Sequence, residues 1–158
     1  MFSIPIGDVR IGVGQVVAVY GNSAYYFAVF DWSASADDAV DVDAGLSSRL
    51  LFLALSMDAK LHAGHWQVVS NREVSPSIPL PAYKVAIGGP TDMFVEDYSG
   101  QRRRRATKSE AEILPFRKVV APVRLEKALR AKHGMEPWQE AYTDLAPDAE
   151  LTSARLFS

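Results

Sequence analysis

The sequence predicts an α+β protein that is mostly β: a curved antiparallel sheet, or an SH3-like partly open barrel, followed by two or three C-terminal helices. Three observations predict it. Residues 2–31 alternate apolar and polar residues, break at glycines and resume the alternation twice, which is the pattern of short antiparallel strands with one buried face. Further short apolar runs recur between Gly and Pro signals as far as residue 106. The strongest helix-start signals, a capping box and a proline suited to a first turn, come only after that point.

The elements follow in order. Phe2, Ile4 and Ile6 alternate with Ser3 and Pro5, and a proline without an N–H predicts an edge or irregular strand. Gly7-Asp8 marks a turn, and Val13 to Tyr20 the first convincing strand. Gly21-Asn22-Ser23 forms a hairpin turn, and Ala24 to Phe30 returns as the next strand. Gly12 and Gly14 predict a bulge or a close backbone approach. Trp32 to Ser48, small, polar and carrying four aspartates, reads as a long surface loop. Leu50 to Met57 is a continuous apolar run, either a buried strand or a short buried helix, which periodicity cannot separate. A helical turn is expected over Asp58 to Gly64 and a strand over Trp66 to Val69.

Pro76, Pro79 and Pro81 make the next stretch an extended connector. Strands are predicted at Tyr83–Ile87, Met93–Tyr98 and Arg102–Ala106, and a last one at Phe116–Val120. Thr107 and Glu110 match a capping box whose short helix Pro115 stops. A second helix runs from Pro122 to about His133 and ends at Gly134. Val123, Leu125, Ala128 and Leu129 form its apolar face; Arg124, Lys127 and Arg130 are left exposed, and Glu126 pairs with Arg130. Another helical turn is expected over Glu136 to Tyr142. Residues 1–145 read as a single domain and 146–158 as a tail with weak signals, expected to be partly mobile.

Composition narrows the function. The 158 residues are 48% hydrophobic and 23% charged, as in ordinary globular chains. A net charge of −2 excludes gross polycation behaviour, although residues 1–100 carry five Lys/Arg against eleven Asp/Glu and residues 101–158 twelve against eight. An acidic front and a basic back can steer a charged partner to one face. The absence of cysteine excludes disulfides, thiolate zinc sites and cysteine catalysis. With no signal-peptide pattern and no membrane-length apolar run, a cytoplasmic location is expected.

No catalytic constellation stands out, so no enzyme activity and no cofactor are expected. Gly12-Val13-Gly14 lacks the third glycine and following helix of a dinucleotide motif, and no serine sits on a nucleophile elbow. His62 and His65, with Asp58 a turn earlier, have no third ligand at a recognised spacing, so no metal site is assigned. Asp37, Asp38, Asp41 and Asp43 lack the ordered ligand pattern of a calcium loop. As a carboxylate cluster they could instead imitate nucleic-acid phosphates and cover the basic cleft of a nuclease. Arg102 to Arg105 offers an alternative, a small-barrel nucleic-acid-binding module. In a strand, however, alternate arginines face opposite sides, and Glu96, Asp97, Glu110 and Glu112 lie near enough to neutralise them.

The order of the motifs resembles the immunity protein 26 family of bacterial polymorphic toxin systems. The resemblance lies in Ile4-Pro5-Ile6, then Asp8, Arg10, Gly12 and Gly14, then Phe30-Asp31. It continues through Gly64-His65-Trp66-Gln67-Val68-Val69 and Lys84, and then Arg105-Ala106-Thr107, Glu110, Leu114, Pro122 and Leu125-Glu126. It spans about residues 2 to 130 and departs at Ile11, where an aromatic is usual, and at Ser70, where a glycine is. The resemblance implies a β-rich protein that binds and silences a cognate toxin. Its motif residues look structural, with Trp66 in the core and Thr107 at a cap. Specific contacts are therefore expected in a variable loop: Asp37, Asp38, Asp41 and Asp43, with Trp32 as an aromatic anchor.

Overall fold

The structure is a computed structural model and describes residues 1–158. Strands β1 (Phe2–Pro5), β2 (Arg10–Tyr20), β3 (Ala24–Ser35), β4 (Leu50–Met57) and β5 (Gln67–Val68) form one antiparallel sheet in the order β4-β3-β2-β1-β5. A second antiparallel sheet holds β6 (Tyr83–Ala86), β7 (Met93–Glu96) and β8 (Arg103–Arg105). Helices α1 (Val42–Ser47) and α2 (Ala59–His62) interrupt the strands, and α3 (Lys108–Ile113), α4 (Pro122–Lys132), a 3-10 helix (Glu140–Leu145) and α5 (Ser153–Leu156) follow them. The fold is thus mostly β within α+β. The larger sheet keeps two edges, so no barrel closes.

The larger sheet is buried on both faces, which explains why Leu50–Leu55 is continuously apolar. Alternation along β3 and β4 sends Phe27, Val29, Phe52 and Ala54 to one side, where they pack with Trp66 and with Leu125, Ala128 and Leu129 of α4. It sends Tyr26, Ala28, Phe30, Leu53 and Leu55 to the other side, against Tyr83 of the smaller sheet. A strand sandwiched in this way has no solvent face to record.

Pro5 sits just past the two-residue pairing of β1 with β5, where its missing N–H removes no ladder bond. The glycines of β2 serve close approach. A Cβ on Gly14 would lie 2.6 Å from the Phe2 ring and 2.9 Å from the Ala28 carbonyl, and one on Gly12 would lie 2.5 Å from Leu129 Cδ2. The Leu129 methyl can move, but the Ala28 carbonyl belongs to the ladder. Gly14→Ala is therefore expected to cost about 1–3 kcal/mol by overpacking and Gly12→Ala less, as read by the urea midpoint of each variant. Equal costs would contradict this ordering.

Several sequence expectations are corrected. Trp32–Ser48 is not one long loop: β3 runs on to Ser35, and Asp41 caps α1, whose buried Gly45 lets it settle onto Val13. Phe116–Val120 is no strand but makes two isolated parallel bridges, Lys84 to Phe116 and Ser56 to Val120. In α4, Val123 is exposed and Glu126 is buried, because Trp66 and Lys60 offer the carboxylate partners inside the core edge. The late helical turn lies at Glu140–Leu145 rather than over Glu136 to Tyr142. Residues 146–158 make hydrogen bonds to the Pro-rich connector and to the chain after β7. Ala82 N–H donates to Leu151 O, Ser153 N–H donates to Leu80 O, and Tyr98 N–H donates to Ser153 Oγ.

Candidate functional site

The four aspartates singled out in the sequence lie where β3 leaves the sheet and α1 begins. Ala36 N–H donates to Val9 O at 2.8 Å, which ties the turn after β3 to the turn between β1 and β2. Exposed Asp37 and Asp38 therefore sit beside exposed Asp8 and Val9, the last 70% accessible. Neither Asp37 nor Asp38 has an ion-pair partner; the pairs on this part of the chain are Arg49 with Asp31 and Arg72 with Asp43.

The other two aspartates are partly committed. Asp41 Oδ1 accepts the Ala44 N–H at 2.9 Å as the cap of α1. Asp43 stands in the first turn of α1, where the helix dipole favours a carboxylate. It meets Arg72 at 3.5 Å across solvent, so that pair adds little to stability. Trp32 lies within β3, half-buried against the core on the Tyr26 side, at the base of the acidic turn rather than at its tip. The structure thus groups the four aspartates along one turn and the start of one helix. No three His, Asp or Glu side chains gather anywhere as a metal cluster, and His62 and His65 are exposed on either side of the Gly64 turn.

The arginine run is paired carboxylate by carboxylate. Arg102 meets Asp97 at 3.2 Å, Arg103 meets Glu96 at 2.5 Å, Arg104 meets Glu110 at 2.6 Å and Arg105 meets Asp92 at 3.5 Å. Asp92, not Glu112, completes the set. Burial acts to raise the Asp97 carboxyl, but the Arg102 N–H, the Ser99 hydroxyl and the Arg102 guanidinium outweigh it and hold the group below its usual range.

Glu110 is held at about 2, first by the Arg104 guanidinium and then by the Thr107 N–H of the capping box. A carboxyl lowered by folding adds stability above its ordinary value, and that stability is lost as pH falls from about 4.5 towards about 2. Glu110→Gln is therefore expected to melt below the parent at neutral pH, with the gap closing across that window. A gap independent of pH would contradict the assignment.

Two buried polar hubs went unforeseen, apart from the expected Glu126–Arg130 pair within the second. Arg117, reaching in from between the two isolated bridges, donates to Tyr26 Oη, Tyr98 O, Asp97 O and Glu96 Oε1 at 2.5–2.7 Å. Its guanidinium also lies 3.9 Å from the Tyr20 ring centroid and 4.2 Å from that of Tyr83. Burial, with Tyr83 alongside, pushes the Tyr26 phenol far up against the opposing pull of Arg117; burial likewise raises Tyr83. Both phenols stay neutral, and Tyr26 donates to Tyr98 O at 2.9 Å. The second hub is Glu126, which accepts from Trp66 Nε1 at 3.1 Å and meets Lys60 at 3.3 Å and Arg130 at 3.0 Å. Both hubs lock layers together around nearly buried carboxylates, those of Glu96 and Glu126. No helix is long and apolar enough to cross a membrane.

No curated protein and no solved structure matches the chain. A family profile does, that of immunity protein 26, over residues 1–92. The matched stretch holds the whole five-stranded sheet, the acidic turn, α1 and β6, whereas the motif blocks around Arg105 and Pro122 fall beyond it. Covering more than half of the residues, with a sheet whose Ile4, Gly12, Gly14 and Trp66 take the structural places their types demand, the match shows that the chain belongs to the immunity protein 26 family.

Proposed function

We propose that this protein neutralises a cognate bacterial toxin in the cytoplasm by binding it stoichiometrically and occluding its working surface, without catalysis. Family membership carries the reading. The acidic turn supports a place for the contact: Asp37 and Asp38 are exposed and unpaired, Asp41 and Asp43 extend the same negative surface, and Trp32 supplies aromatic area at its base. Such a surface fits a basic cleft, which makes a nuclease the favoured kind of toxin, because like-charge partners would be rejected and a positive cleft drawn in. The arginine run does not favour the nucleic-acid alternative, since each arginine already has a carboxylate.

The test is rescue. Cells expressing the toxin encoded beside this gene should grow when this protein is co-expressed and fail without it. Continued killing despite a folded, abundant protein would overturn the reading.

A further inference from the structure

Gln15 stands in the middle of β2 and is 2% exposed, a polar side chain in a strand that otherwise buries apolar ones. Its nitrogen is satisfied. Nε2 donates to the carbonyls of Arg72 and Glu73 at 3.1 and 3.4 Å, in the chain that leads to the proline connector. Those two acceptors fix the direction of the amide, since the reverse orientation would set oxygen against oxygen. Oε1 accepts no hydrogen bond from the protein, and it is not sealed in: it opens onto the cavity that Gln15 helps to line. A buried acceptor left unmet is costly, so an occupant of this space should bring a donor.

The cavity measures about 640 Å³, large enough for a small molecule or a long side chain. Its polar lining is rich in acceptors. Glu73 is exposed and its carboxylate has no ion-pair partner, and the Ser75 and Ser77 hydroxyl oxygens stand 2.7 Å apart. Arg49 is the only cation in the lining, and its guanidinium turns to Asp31 at 3.1 Å. Arg72, beside Glu73, turns to Asp43 at 3.5 Å. Leu46, Leu50 and Ile78 supply apolar wall. An unpaired carboxylate, a buried amide oxygen and two hydroxyls beside an apolar wall match a planar cation with several donors on an aliphatic stem. Leu46 and Ser48 bring the end of α1 to the cavity. The acidic start of that helix is only six residues away, about 9 Å along its axis, so a protein lying on the acidic segment has the cavity within reach. We propose that this cavity is a guanidinium-binding site, which receives an arginine side chain of a protein docked on α1.

The chemistry of the cavity stands apart from the toxin reading, on which only the identity of the docked protein rests. The probe is N-acetyl-arginine N-methylamide, titrated at millimolar concentration into the isotopically labelled full chain. It should shift the Gln15 side-chain amide resonances and the Leu46 and Ile78 methyl resonances, while the Trp66 indole resonance stays in place. The citrulline counterpart, alike in shape but uncharged, should bind about fivefold more weakly, near the limit for a solvent-exposed ion pair, and high salt should narrow the difference. Glu73→Gln, a surface change, should remove the preference for arginine; Gln15 itself stays unsubstituted, because its nitrogen holds the connector. Butylguanidinium separates the two sources of the cation. Equal binding of both guanidinium probes supports a side chain carried on a main chain, whereas binding of butylguanidinium alone would mean a site for a free small cation and would overturn the partner's arginine. Unmoved Gln15 resonances, equal binding of the arginine and citrulline probes, or an undiminished preference in Glu73→Gln would each overturn the guanidinium site.

Discussion

Replacing Arg117 with alanine is expected to lower stability by about 3 kcal/mol, the lower end of the cost of stripping one partner from a buried ion pair. The side chain is 11% exposed and Glu96 opposite it 5% exposed, so the abandoned carboxylate cannot recover its hydration. Arg103 still reaches Glu96 from the solvent side, which keeps the loss from the upper end. The Asp97 carbonyl loses its Arg117 donor in the same step, the Tyr98 carbonyl keeps only the Tyr26 hydroxyl, and the Tyr20 and Tyr83 rings lose the cation between them. Urea unfolding should show a fall in midpoint with little change in slope. Adding Glu96→Gln to Arg117→Ala should return part of the loss by removing the orphaned charge. A loss below about 1 kcal/mol would place this hub with ordinary surface pairs.

Trp66→Ala is expected to cost about 3–5 kcal/mol, the range for emptying a large aromatic site in a core that cannot collapse. The indole is fully buried, stacks on Phe2 with ring centroids 5.1 Å apart and meets Phe27 edge-on at 5.7 Å. Its neighbours belong to β1, β3 and α4, which hydrogen bonds and packing fix from other sides. Trp66→Phe separates volume from chemistry. It restores most of the packing but removes the N–H that Glu126 accepts, and about 1–3 kcal/mol should remain lost. Lys60→Ala should matter less, because Arg130 still meets the carboxylate from one turn along α4. If the phenylalanine variant matched the parent, the hydrogen bond to Glu126 would have no energetic weight.

These two sites also mark how far the sequence could be read. The glycine-broken alternation of residues 2–31 identifies β1, β2 and β3 because one backbone conformation serves each signal: positive φ at Gly7 and Gly21, close approach at Gly12 and Gly14. The capping box at Thr107 and the proline that opens α4 are equally local, and both formed as expected. What escaped is non-local. Arg117 lies between Phe116 and Lys118, and nothing nearby in sequence shows that two sheets close over it. Glu126 reads as a helix-surface residue until α2 brings Lys60, and the chain beyond it Trp66, into reach. The tail had no periodicity to read because its contacts are scattered: single bonds to Leu80, Ala82 and Tyr98, and Leu151, Leu156 and Phe157 set against the Ala82, Val95 and Leu114 cluster. The acidic segment was legible as charge but not as shape. Its α1 helix is six residues long and owes its place to Asp41 as cap and Gly45 as contact.

We propose that the protein silences its toxin by a one-to-one contact made through the acidic turn. Calorimetric titration of the purified protein into a catalytically inactivated form of the toxin encoded beside it is the decisive experiment. The expected result is a stoichiometry of one and an affinity that falls at least about tenfold when Asp37 and Asp38 are both changed to lysine, or by about 1.4 kcal/mol or more, with the melting temperature unchanged. Absence of binding would contradict the stoichiometric neutralisation, and full affinity in the doubly substituted protein would remove the acidic turn from the contact.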